Sequence, residues 1–167
     1  MHKRLKVGML IATALLLSAC TTDGGVNPMI DQNTNSSAAL PTVTGAKGSK
    51  PQITAPTGTP PSSLQKSDIF VGTGKEAVET SILEVHYTLM AWSAGTLVES
   101  SWDSGQTATF PLSGVIAGWQ QGIPGMKEGG RRLLVIPPDL GYGAQGAGGA
   151  IGPNETLIFV VDLVTVS

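Results

Sequence analysis

The run VIAGWQQGIPGMKEGGRRLLVIPPDLGYG, residues 115–143, decides how this chain is read. Trp119 lies on a short amphipathic helix. Downstream come a strand, Arg131 to Ile136, closed by Pro137-Pro138, and a glycine loop that carries Tyr142. These residues describe an apolar pocket with one polar rim, and almost nothing among them can perform acid/base or covalent chemistry. Aromatic and branched side chains recur around the run at Tyr87, Phe110, Val115, Ile116, Ile151 and Phe159. The chemistry implied is conformational.

Outward from that stretch, alternation of period two predicts strands. Between Ile82 and Trp92, Leu83, Val85, Tyr87, Leu89 and Ala91 share one face and Glu84, His86, Thr88 and Met90 the other, the pattern of a half-buried strand. Thr96 to Ser101 and Gln106 to Pro111 read as shorter strands around the polar turn Trp102 to Gly105. Thr156 to Val166 alternates again, burying Leu157, Phe159, Val161 and Leu163. Only Leu112 to Gln121 has helical spacing, with Val115, Ile116 and Trp119 on one face and Gly122 as the stop. The expected class is α+β: an antiparallel sheet of about five strands curled around one short helix that covers its concave face. Strand-helix alternation is absent, which excludes a doubly wound parallel sheet.

The folded part is expected to occupy residues 67–167. Ahead of it, Lys3, Arg4 and Lys6 precede an apolar run from Val7 to Ala19 that ends in Leu17-Ser18-Ala19-Cys20, the pattern of a secretory signal peptide over residues 1–20. Its 13 residues fall short of the roughly 20 needed to span a bilayer as a helix. Leu17 to Cys20 resembles the lipobox of bacterial lipoproteins, which implies that Cys20, the single cysteine, is lipidated and becomes the mature N-terminus. Acyl chains there, at roughly 0.8 kcal/mol per buried methylene, would tether the chain to a membrane. Residues 21–66 hold six of the 11 prolines, many Ser, Thr, Gly and Asn, and no aromatic residue. They are expected to be a disordered linker with an end-to-end distance of roughly 35 to 40 Å.

Residues 67–167 carry four basic residues (Lys75, Lys127, Arg131, Arg132) against ten acidic ones, a net charge near −6. Phosphate binding needs a basic face, so nucleic acid is excluded as a partner. Gly141 to Gly146 formally matches GxGxxG, but it runs through Gly148, Gly149, Gly152 and Pro153 into a strand. A dinucleotide site needs a helix at that point. His86 is the one histidine outside the leader, so with no structural cysteine the chain cannot build a zinc site. It is expected on the outward face of its strand. A hydrolase would have to recruit Ser100 or Ser101, which lack the strained turn that exposes a nucleophile.

The order of segments resembles the FKBP-type peptidyl-prolyl cis/trans isomerases, immunophilins that bind rapamycin-like macrolides, over essentially all of residues 67–167. The matching pieces are Val85-His86-Tyr87-Thr88, Glu99-Ser100-Ser101, Phe110-Pro111-Leu112, Val115-Ile116-Ala117-Gly118-Trp119, Pro138-Asp139-Leu140-Gly141-Tyr142-Gly143 and Thr156-Leu157-Ile158-Phe159. The resemblance implies that Trp119 floors a proline pocket walled by Tyr87, Val98, Phe110, Val115, Ile116 and Phe159, with Ile151 on a covering loop. It also implies that the Tyr142 hydroxyl and the Ile116 backbone N–H donate to the substrate carbonyl, and that Glu99 is the site carboxylate.

The physics of the reaction fits such a site. The barrier to X-Pro rotation, roughly 18–20 kcal/mol, comes from amide resonance. A pocket that binds the twisted amide better than the planar one lowers that barrier without proton transfer, cofactor or metal. A reduction of about 4 to 6 kcal/mol gives roughly 10³ to 10⁴ in rate. Three positions depart from the pattern: Val98 stands where Phe is usual, Glu99 where Asp is usual, and Ala108 where an aromatic is common. One wall is then shallower, which predicts lowered catalysis and weaker macrolide binding. The expected function is isomerisation of proline-containing, exported polypeptides by a monomer tethered outside the cytoplasm. The alternative is a peptide-binding, chaperone-like module of the same fold with a degenerate site.

Overall fold

The structure, a computed structural model, describes residues 39–167. Two short strands, β1 (Val43–Thr44) and β2 (Gln52–Ile53), pair as an antiparallel ribbon. After them come β3 (Gln65–Phe70), β4 (Ile82–Ala91), β5 (Thr96–Ser100), β6 (Ala108–Pro111), the helix α1 (Ala117–Gly122), β7 (Arg131–Ile136) and β8 (Leu157–Val166). The main sheet runs β3-β7-β8-β4-β5, with β6 also pairing β4, and every pairing described below is antiparallel. Six strands form it, where about five were expected; β3 is the addition, since its first two residues belong to the stretch read as linker.

Alternation along β4, β7 and β8 gives the sheet two faces, and both are buried. The front face packs Leu83, Val85, Leu89, Leu134, Ile136, Leu157, Phe159 and Val161 with Trp119. The back face carries Met90, Leu133, Val135, Ile158 and Val160, and Leu40, Val43, Ile53 and Ile69 pack against them. Two expectations change here. β4 is more than half-buried, because Thr88 and Met90 on its second face are also enclosed. Residues 39–66 are a structured cover over that face rather than a disordered tether, with Leu40, Val43 and Ile53 supplying apolar area that composition alone hides. The remainder of the expected linker, the leader and Cys20 lie outside the described residues. Among the described residues, no helix is long and apolar enough to cross a membrane.

The helix is shorter than its spacing predicts. Leu112–Gly114 forms a 3₁₀ turn, Val115 and Ile116 are extended, and only Ala117–Gly122 is α-helical, with Gly122 its last residue rather than its stop. Close packing on β7 sets its position. A Cβ at Gly118 would stand 2.4 Å from Ile136 Cγ2, and one at Gly122 would stand 2.7 Å from Leu134 Cδ2. Glycine at both positions lets the helix backbone approach the strand.

Two adjacent arginines secure the two faces, because successive residues of a strand point to opposite sides. Arg132 Nη1 donates to the carbonyls of Gly122 at 2.8 Å and Pro124 at 3.3 Å, holding the C-terminal end of α1, while its Nε donates to Asp68 Oδ1 at 2.6 Å. Arg131 is fully buried on the back face. Its Nε donates to Asp162 Oδ1 at 2.7 Å and its Nη2 to the Ser49 carbonyl at 2.6 Å, so it ties the N-terminal cover to the sheet. Burial raises the Asp162 carboxyl above its ordinary value of 3.8, and the Arg131 guanidinium opposes that rise.

Candidate functional site

The curl of the sheet over α1 leaves a cavity of about 520 Å³ on the front face. β4 contributes Tyr87, β5 Val98 and Glu99, β6 Phe110 and β8 Phe159. The broken helical segment contributes Val115, Ile116 and Trp119, and the loop before β8 contributes Tyr142 and Ile151. All ten residues expected at the site therefore line one cavity. Leu89 and Gly114 line it as well and were missed, while Ala147, Gly148 and Ala150 also line it and belong to the covering loop expected beside Ile151. Leu89 was within reach, lying two residues beyond Tyr87 on the same strand face. Gly114 presents only backbone, which leaves no side-chain signal. Ala108, expected to make one wall shallower, is absent from the lining; it sits on β6 opposite Val85.

Trp119 forms the floor, 4% exposed. The Phe159 and Phe110 rings meet it edge-on, with centroids at 5.3 Å and 5.9 Å and interplanar angles of 87° and 83°. Tyr87 closes the cage at 6.1 Å from Trp119, also edge-on. Perpendicular aromatic pairs at these separations are favourable beyond the area they bury, and they make a rigid apolar wall. Trp119 Nε1 has no hydrogen-bond partner among the described residues.

The polar rim has two parts. The Tyr87 hydroxyl donates to Glu99 Oε1 at 2.5 Å. Burial, followed by that hydrogen bond and the Glu99 charge, pushes the Tyr87 phenol well above its ordinary value of 10, so it stays a neutral donor in use by the protein. The second part is uncommitted. Ile116 caps α1 in an extended conformation; its carbonyl accepts from Trp119 and Gln120, while its own N–H finds no acceptor among the described residues. The Tyr142 side chain, 39% exposed, likewise has no hydrogen-bond partner among them.

His86 was expected on the outward face of its strand, and it lies half-buried on the back of the sheet. Its ring stacks on Trp102 at 3.8 Å and 18°. Among the described residues, no cluster of His, Cys, Asp or Glu could hold a metal ion.

The cavity joins an aromatic floor and walls to a rim that carries the Tyr87–Glu99 pair and two donors without an acceptor among the described residues. Residues 74–164 match the family described as FKBP-type peptidyl-prolyl cis-trans isomerase. A probable FK506-binding protein of Corynebacterium glutamicum is 52% identical over 116 residues, covering 70% of this chain and 98% of the relative. The FK506-binding protein of Streptomyces anulatus is 48% identical over 120 residues, covering 70% and 97%. Among solved structures, a peptidyl-prolyl cis-trans isomerase of Pseudomonas syringae pv. tomato superposes with a TM-score of 0.57 at 34% identity, covering 62% of this chain and 75% of that one. The chain belongs to the FKBP-type peptidyl-prolyl cis-trans isomerases, enzymes with rotamase activity.

Proposed function

We propose that the front cavity accelerates rotation about X-Pro bonds by holding the proline ring against Trp119 and receiving the adjoining carbonyl between the Ile116 N–H and the Tyr142 hydroxyl. One observation carries this reading: Ile116 and Tyr142, whose N–H and hydroxyl find no acceptor among the described residues, line the same cavity as the aromatic cage. A planar amide is stabilised by charge separation, which an apolar cage disfavours. The two donors serve to hold the carbonyl and orient the amide in the cage, and the apolar walls supply the weakening of its resonance. Proton transfer has no part in the step.

The substrates we propose are unfolded proline-containing polypeptides exported from the cytoplasm. The chain would be a monomer, tethered to a bacterial membrane through a lipid on Cys20. The support is the basic and apolar leader, the lipobox-like Leu17 to Cys20, and an acidic domain that offers no face for nucleic acid. FK506- or rapamycin-like macrolides are proposed as competitors for the cage, in keeping with the names of the relatives. The test is a prolyl isomerisation assay on a proline peptide with the full chain, with and without rapamycin, beside Tyr142→Phe. Acceleration that rapamycin abolishes and that Tyr142→Phe lowers several-fold is expected. Full activity in the presence of saturating macrolide would contradict the assignment of the cage.

A further inference from the structure

Tyr87 pairs with Val161 of β8 on one side, and on the other it sits where β4 has no strand beside it. Upstream, Val85 pairs with Ala108 of β6; downstream, Thr88 pairs with Ser100 of β5. At Ser101 the neighbouring chain leaves the sheet in the 3₁₀ turn Ser101–Asp103. The peptide groups of Tyr87 that face this gap are nevertheless satisfied, and side chains do it. The Tyr87 N–H donates to Ser101 Oγ at 2.9 Å, and the Tyr87 carbonyl accepts from the Ser100 hydroxyl at 3.2 Å. Ser101 Oγ lies 3.3 Å from that same carbonyl and 3.0 Å from His86 Nδ1, whose ring is fixed by its stack on Trp102.

From this arrangement we propose that Ser101 is a positioning residue for the isomerase reaction: its hydroxyl stands in for the missing strand partner and fixes the Tyr87 backbone, and with it the Tyr87 ring and its bond to Glu99. A serine hydroxyl suits the role because it accepts one hydrogen bond and donates another. Ser100 is committed to the carbonyl and to Thr88 Oγ1 at 2.9 Å, so the Tyr87 N–H depends on Ser101. Without that acceptor a part-buried N–H is left unpaired, a cost the strand relieves by shifting toward another partner and carrying the ring with it. The inference rests on the pocket reading above.

The experiment compares full-chain Ser101→Thr, Ser101→Val, Tyr87→Ala and the double variant Tyr87→Ala/Ser101→Val. kcat/KM for a proline peptide is measured well below each melting midpoint. Thr and Val share a shape, so their difference isolates the hydroxyl. Ser101→Thr is expected within about twofold of the parent and Ser101→Val about tenfold lower, the scale on which small misplacements at a reacting site act. In the Tyr87→Ala background Ser101→Val should cost nothing further. Should Ser101→Val fail to fold, Ser101→Ala carries the same expectation. Parity of Val with Thr would overturn the proposal, as would an undiminished Val effect in the double variant, which would mark a general structural role. Full activity in Tyr87→Ala would overturn the pocket reading, and this inference with it.

Discussion

The two faces of the sheet are built from the same three strands and end in opposite conditions. In front, a six-residue helix leaves an aromatic cage open, with donors unused at its mouth. Behind, the N-terminal segment covers the aliphatic face, and Arg131 fastens that cover to Asp162. The open cage must admit a ligand, whereas nothing has to enter beneath the cover behind. The comparison therefore predicts that damage behind lowers stability first, whereas damage in front lowers activity first.

The harshest way to break that division is to remove the cover. A chain beginning at Ser67 loses the first two residues of β3 and, with Leu40, Val43 and Ile53, most of the cover over Met90, Leu133, Val135, Ile158 and Val160. With roughly 1.5–3 kcal/mol for each large apolar side chain buried, urea denaturation should show a loss of about 5 kcal/mol or unfolding outright. An unchanged midpoint would mean that the segment merely lies on the sheet.

The paired arginines sharpen the contrast. Arg131→Met leaves Asp162 buried without its partner and should cost about 3–5 kcal/mol in the same measurement. Arg132→Met frees the end of α1 and exposes a gap that solvent can partly fill. It should cost less stability, about 1–2 kcal/mol, and show a larger fractional loss in kcat/KM. The reverse ranking would refute the assignment of one arginine to each face.

Gly118→Ala drives a methyl group into Ile136 and should displace α1 at a cost of about 1–3 kcal/mol. Because Trp119 is the next residue, kcat/KM should fall with it. The smallest effect expected is on alkaline stability. The folded state holds the Tyr87 proton more tightly than the unfolded chain does, so this contribution is complete below the ordinary value of 10 and is lost as pH rises above it. Tyr87→Phe should flatten that decline in a melting series across high pH.

The front face was legible in the sequence because its residues carry strong signals: aromatic rings at fixed places along alternating strands, and a Trp just ahead of a Pro-Pro turn. The back cover was not. Leu40, Val43 and Ile53 are isolated in a background of Pro, Thr and Gly, and strands of two residues have no period to detect. Nor could the break in the helical segment be foreseen. Leu112, Val115, Ile116 and Trp119 are spaced as on a helix, yet Val115 and Ile116 are extended, and that break leaves the Ile116 N–H uncommitted. Side chains acting in place of backbone, as Ser100 and Ser101 do beside Tyr87, follow from where two strands happen to end. No pattern in composition or spacing announces them.

The central claim is that the front cage, with its donors orienting the carbonyl, accelerates amide rotation without proton transfer. The most direct test is the solvent deuterium isotope effect on kcat/KM of the full chain for a proline peptide. The account predicts a value close to unity, since no proton moves in the step. A large normal effect would place a proton transfer in the transition state and contradict it.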